Sequence, residues 1–134
     1  MIKKIAISII VLPMLLASIS AAEEQLSTHV LTGYWEVQGM TVNGKEDRGE
    51  AGAYWIFREN GTFKIVKRGR KPEGKWTSTS NSRLTLEVGG RNMLDGKFRT
   101  DNGNLFIEAK QGSAILVFRF RKRVLTVEPT EPKI

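Results

Sequence analysis

The chain has 134 residues, a formal net charge of +7 at neutral pH and no cysteine. The absence of cysteine excludes disulfides, thiolate metal sites and thiol nucleophiles, so burial and hydrogen bonds alone must hold the fold. A chain of this length has room for one domain.

Residues 1–22 are typical of a secretory signal peptide. A basic start, MIKK, precedes the apolar run IAISIIVLPMLLASIS, and the small residues SAA follow. A membrane-spanning helix needs about 20 apolar residues, and this run is shorter. The pattern therefore favours a cleaved leader over an anchor. We expect cleavage after Ala22, a periplasmic or secreted protein, and no transmembrane segment in the mature chain.

Beyond residue 26, short alternating apolar runs are separated by Gly, Asn, Asp and Ser, which indicates an all-β sandwich or barrel. Short polar connections favour an up-and-down antiparallel meander, and closure into a barrel of about eight strands removes the exposed edges. We predict one barrel domain over 23–127 and a flexible tail over 128–134. The predicted strands cover 33–42, 53–59, 62–67, 74–79, 83–88, 96–100, 104–109 and 113–120, with a candidate last strand at 123–127.

The segment YWIFRENGTFKIV is predicted to be a hairpin. A two-residue turn centred on its Asn-Gly pair would place Phe57 opposite Lys64. A type I turn with Gly61 in the left-handed bulge position places Phe57 opposite Phe63 instead. We favour the bulged turn because it gathers the large apolar residues on one face. That inner face carries Trp55, Phe57, Phe63 and Ile65, and the outer face carries Tyr54, Ile56, Arg58, Thr62, Lys64 and Val66.

The same alternation turns a further set of side chains inward: Trp76, Leu84, Leu86, Val88, Phe98, Leu105 and Ile107. A barrel of about eight strands either fills its interior with side chains or holds one small ligand. If the interior is open, the predicted ligand-binding residues are Trp55, Phe57, Phe63, Ile65, Trp76 and Phe98.

Several segments resemble the lipocalins and the smaller bacterial lipocalin-like domains. GYWEV, at 33–37, is similar to their Gly-x-Trp signature. YWIFRENGTFKI followed by EGKWTSTSNSRLTLEV resembles the middle of the lipocalin-like domains, and AILVFRFRK resembles the last strand. The resemblance covers about residues 31–123 and implies a β-barrel that binds a small molecule.

The resemblance also implies a structural floor at one end of the barrel. Gly33 allows a tight bend where the first strand begins. Trp35 would then close the barrel, with a late arginine, Arg119 or Arg121, over its ring. Core packing is the usual role of so large an aromatic side chain. We therefore interpret Gly33 and Trp35 as structural.

Catalytic and metal-binding groups are sparse. The single histidine, His29, precedes the first strand, where no rigid frame would hold it for a catalytic triad. The segment NGKEDRGE, at 43–50, has three carboxylates, but we interpret it as a solvated loop rather than a metal site. We predict no enzyme activity, no cofactor and no metal.

Two basic clusters could bind an anionic partner. The first is a loop whose charges should converge at one end of the barrel, at Lys67, Arg68, Arg70 and Lys71. The second is FRFRKR, at 118–123. Anionic lipid or an acidic protein is the expected partner of an exported chain, and nucleic acid is not. A solvated surface remains the alternative, because charge runs often serve only solubility.

The sequence thus leaves two functions open. The first is an exported lipocalin-like binding module for a small apolar or amphipathic ligand. The second is a protein-interaction module with a filled barrel and a basic contact loop, such as an envelope-complex subunit or an inhibitor. An empty apolar cavity would favour the first.

Overall fold

A computed structural model describes residues 30–133. Nine strands within this range form one antiparallel β-sheet. The strands are β1 Gly33–Val42, β2 Lys45–Asp47, β3 Tyr54–Phe57, β4 Thr62–Val66, β5 Glu73–Ser78, β6 Arg83–Val88, β7 Arg91–Asp101, β8 Asn104–Gln111 and β9 Ala114–Arg123. The predicted leader over 1–22, its cleavage site and His29 lie outside the described residues.

The sheet closes on itself because β1 pairs with β9 as well as with β3. Eight strands in up-and-down order form the barrel, and the short β2 pairs with the second half of β1 as an extra strand. The predicted all-β fold, a small antiparallel barrel of about eight strands, is confirmed.

Strand β2 replaces part of the loop expected over 43–50. Asn43 and Gly44 have positive φ angles of 52° and 82°, and Val42 lies directly opposite Lys45. This is the two-residue hairpin that an Asn-Gly pair favours. All three residues of β2 are exposed, so the strand has no apolar alternation to reveal it.

Two other strand boundaries differ from the prediction by three residues or more. Strand β7 begins at Arg91, although its first residues are exposed and polar. Strand β9 continues to Arg123, and the candidate strand at 123–127 is wrong. Beyond Arg123 the chain leaves the sheet, because Arg123 already pairs with Tyr34 and its partner strand β1 begins at Gly33.

The hairpin of β3 and β4 has the predicted register. Phe57 lies opposite Phe63, and Trp55 lies opposite Ile65. The Gly61 amide donates to the Arg58 carbonyl over 3.1 Å, and Gly61 has a φ of 84°, as a bulged turn requires. The predicted inner face is therefore the inner face of the barrel.

One end of the barrel, which we call the closed end, is filled by side chains. It is the end where β1 begins at Gly33, with a φ of 128°. Leu31 and Trp35 are buried there, and the Trp35 indole N–H donates to the Leu31 carbonyl over 2.7 Å. Leu31, two residues before β1, completes the floor.

The cation over Trp35 is Lys122, not the predicted Arg119 or Arg121. Phe118 and Phe120 face inward, so the alternation of β9 turns both arginines outward, where they are exposed. Lys122 comes next on the inner side, and its Nζ lies 5.4 Å from the centre of the Trp35 ring. The floor tryptophan is therefore capped by a lysine.

The C-terminal segment 124–133, which we call the strap, crosses the outside of the barrel. The outer face there is apolar, since Tyr54, Ile56 and Val66 are buried beneath it in a cluster of their own. Leu125 of the strap packs against this cluster. The backbone amide of Lys133 donates to the Gly52 carbonyl over 2.7 Å. The described part of the predicted flexible tail therefore makes defined contacts.

Ion pairs fix the strap along its length. Arg58 donates two hydrogen bonds to Glu128, one of them from Nε over 3.1 Å. This hydrogen-bonded pair lowers the pKa of the Glu128 carboxyl and raises that of the Arg58 guanidinium. Glu131 lies 3.5 Å from Lys71. Ion pairs that are this exposed contribute only modestly to stability. The strap is therefore held by these pairs together with the apolar contact of Leu125.

Candidate functional site

The end of the barrel opposite the floor, which we call the mouth, contains a cavity of about 330 Å³. Most barrel strands contribute an inward side chain to this mouth cavity. Its apolar lining consists of Met40, Trp55, Ile65, Pro72, Met93, Leu94, Ala109, Leu116 and Phe118, and its polar rim consists of Glu50, Lys67, Lys110 and Gln111.

A β-bulge places Met40 in this lining. The register of β1 against β9 shifts between Val37 and Gly39, so the inner face passes from Val37 to Met40. Met40 packs against the core, whereas a side chain on Gly39 would meet Glu46 and Arg119 on the outside. Bulges commonly redirect a side chain at the rim of a barrel.

The three tryptophans differ in their hydrogen bonding. The Trp35 indole donates to the Leu31 carbonyl, and the Trp76 indole donates to the Arg58 carbonyl over 2.9 Å, both toward the closed end. The Trp55 indole nitrogen is buried and has no hydrogen-bond partner within residues 30–133. Trp55 is thus the tryptophan in the cavity wall, and its indole N–H donates to no group of the described chain.

Aromatic rings form the base of the cavity. The Trp55 ring lies 4.9 Å from both Phe118 and Phe120, centre to centre. Phe120 is fully buried below, so this layer separates the mouth cavity from the closed end. Tilted ring contacts of this kind are favourable beyond their burial, and they give the cavity a firm base.

The structure divides the six predicted ligand-binding residues into two groups. Trp55 and Ile65 line the mouth cavity. The other four belong to the packed core nearer the floor: Phe57, Phe63, Trp76 and Phe98. Phe57 and Trp76 contact each other edge to face at 5.3 Å, which closes that half of the barrel.

The predicted basic loop lies beside the mouth. Lys67 lines the mouth cavity and its Nζ lies 3.7 Å from Oε1 of Glu50. Arg68 and Arg70 are exposed, and neither makes an ion pair within the described part of the chain. Lys71 turns to the strap, where it pairs with Glu131. The loop therefore offers two uncompensated arginines and one lysine at the rim.

A second cavity, of about 560 Å³, lies between this loop and the strap, and we call it the cationic cleft. Its walls are the turn of 49–53, the loop residues 67–70, and Pro132 and Lys133 of the strap. Sequence reasoning missed the contribution of Lys133, because nothing in the tail predicts where it docks.

The second basic cluster does not converge on one site. Arg119 lies 3.9 Å from Glu46 and Arg123 lies 3.7 Å from Glu36, both on the outside of the barrel. Lys122 caps the floor tryptophan. These side chains are therefore committed to separate contacts.

The carboxylates of the β1–β3 connection are also dispersed, since Glu46 faces Arg119 and Glu50 faces Lys67. Within residues 30–133, acidic and histidine side chains form no group of three that could hold a metal ion. The same residues include no helix long and apolar enough to cross a membrane.

The closed antiparallel barrel is compatible with the lipocalin-like fold that the sequence motifs resemble. No protein-family model matches the chain, and no curated protein matches it significantly.

Proposed function

We propose that this chain is an exported, non-enzymatic binding module that takes a small apolar or amphipathic molecule into the mouth cavity. The observation that carries the proposal is the contrast between the two ends of the barrel. Trp35 and Phe57 fill one end, whereas the other keeps a cavity of about 330 Å³ with a mainly apolar lining. Small-molecule sites are apolar cavities of roughly 300–1,000 Å³ with a few polar groups, and this cavity is at the small end of that range.

The lining supports binding rather than catalysis. The cavity walls within the described residues contain no hydroxyl, thiol or imidazole side chain, and their acidic group is Glu50. Glu50 is engaged with Lys67 at the rim. Export to the periplasm or out of the cell is part of the proposal, and the leader pattern at 1–22 supports it.

Titration of the purified, delipidated protein with decan-1-ol tests this function. The alcohol has an apolar chain and a small uncharged head, so its binding reports on the cavity alone. We expect saturable one-to-one binding with a change in tryptophan fluorescence, because Trp55 lies in the cavity wall. Calorimetry on the same samples should show a negative heat-capacity change, the signature of apolar burial. Absence of saturable binding would contradict the proposal.

A second candidate is contact with an acidic protein through the basic loop. The observation in its favour is the exposure of Arg68 and Arg70 without ion pairs inside the described chain. Native mass spectrometry of protein purified from its own envelope distinguishes the two. A co-purified small molecule favours the first function, and a co-purified protein favours the second.

A further inference from the structure

The mouth cavity and the cationic cleft adjoin. Glu50 and Lys67 line both of them, so the ion pair between these residues stands at the boundary. An apolar space and a positively charged space are therefore joined side by side.

Cations dominate the cleft. Its lining includes Lys67, Arg68, Arg70 and Lys133, against the single carboxylate of Glu50. Gly69, with a φ of 77°, forms a tight turn in which the Arg70 amide donates to the Arg68 carbonyl over 2.9 Å. Because of this turn, both arginines line the same wall of the cationic cleft. Guanidinium groups bind carboxylate and phosphate oxygens in pairs of hydrogen bonds.

The strap supplies the far wall, and its position depends on Gly52. A Cβ atom on residue 52 would lie 1.8 Å from the carbonyl oxygen of Lys133, so only glycine permits this contact. Gly52 also has a φ of 92°, which favours glycine. Lys133 is held by its backbone while its side chain lies 3.7 Å from Glu36. The cleft is thus enclosed by the folded chain on both sides.

We propose that the ligand of the mouth cavity is a single-chain amphiphile with an oxyanion head, a carboxylate or a phosphate monoester. The chain occupies the apolar cavity beside Trp55, and the head lies in the cationic cleft against Arg68 and Arg70. This assignment rests on the proposed binding function and adds the chemistry of the head group to it.

Three ligands with one chain length test the assignment: decanoate, decyl phosphate and decan-1-ol. At low ionic strength we expect the two anions to bind about tenfold more tightly than the alcohol, as two exposed charge contacts permit. The preference should shrink as salt is raised, because the Debye length falls from about 30 Å at 0.01 M to about 8 Å at 0.15 M.

A double variant locates the head group. Arg68→Gln with Arg70→Gln should weaken binding of the two anions about tenfold, to the level of decan-1-ol, and so remove most of their preference. The matched control is Arg99→Gln with Arg121→Gln, which removes the same charge near the closed end, away from both cavities. The control should keep the preference. Equal losses in the two double variants would overturn the assignment, because they would reflect net charge alone.

The remaining outcomes separate this inference from the proposed function. If decan-1-ol binds as tightly as the anions, the cavity binds ligands but the head-group assignment is wrong. If inorganic phosphate binds as tightly as decyl phosphate, the cleft is an anion site and no chain enters the cavity, which overturns the assignment. If none of the three amphiphiles binds, the proposed function itself fails.

Discussion

Replacement of Trp35 by alanine is expected to lower the free energy of unfolding by about 3–5 kcal/mol, the usual cost of truncating a buried tryptophan. Trp35 is 3% exposed and closes the barrel above Leu31. Its loss would open a void and leave the buried Leu31 carbonyl without the indole N–H that it now accepts. Both effects are unfavourable.

Urea denaturation of the wild type and the variant measures this change. Trp35→Phe is the companion variant, because it keeps a large ring while removing the hydrogen-bond donor. Its expected loss is smaller, about 1–3 kcal/mol. A loss below about 1 kcal/mol for Trp35→Ala would show that the side chain is not a floor.

The variant Leu116→Trp is expected to weaken ligand binding strongly by filling the mouth cavity. Leu116 lies on β9, partly buried, and lines the cavity. An indole there would occupy the space of the ligand chain. Excluding about 100 Å² of apolar surface from burial removes about 2.5 kcal/mol, which weakens binding of decan-1-ol by a factor approaching 100.

The neighbouring substitution Val117→Trp is the control, because successive residues of a strand face opposite sides of the sheet. Val117 lies opposite Thr41 and Glu108 and is absent from the cavity lining. We expect this variant to bind decan-1-ol as the wild type does. Calorimetric titration of the two variants gives the comparison. If Leu116→Trp binds decan-1-ol as tightly as the wild type, the ligand does not occupy the mouth cavity.

The hairpin of β3 and β4 shows how far local sequence determines the fold. Gly61 and the alternation of apolar residues were sufficient to predict the register that pairs Phe57 with Phe63. Strand β2 was missed because its residues are all exposed, although Asn43 and Gly44 already indicated a hairpin. Turn chemistry was the better guide where burial gave no pattern.

The strap could not be predicted from the tail itself. A segment that lies on a barrel through Leu125 and scattered ion pairs needs no regular apolar period. A signal did exist in the strands beneath it. Ile56 and Val66 are large apolar residues on the outer face, and such residues require a cover.

The candidate site was predicted in part, for a geometric reason. Alternation shows which side chains face inward but not how deep each lies along the barrel axis. Trp55 and Phe57 therefore looked equivalent, yet one lines the mouth cavity and the other fills the closed end. The basic loop was found because a charge run between two strands must lie at an end of the barrel.

The most direct test of the mouth cavity as the binding site is the indole region of a ¹H–¹⁵N spectrum during titration with decan-1-ol. The chain has three tryptophans, so the region contains three indole signals. Trp55 lies in the cavity wall without a hydrogen-bond partner in the described chain, whereas Trp35 and Trp76 donate to backbone carbonyls toward the closed end. We predict that the Trp55 signal moves with saturation while the other two stay fixed. Saturable binding that shifts the Trp35 or Trp76 signal and leaves Trp55 unchanged would contradict the account.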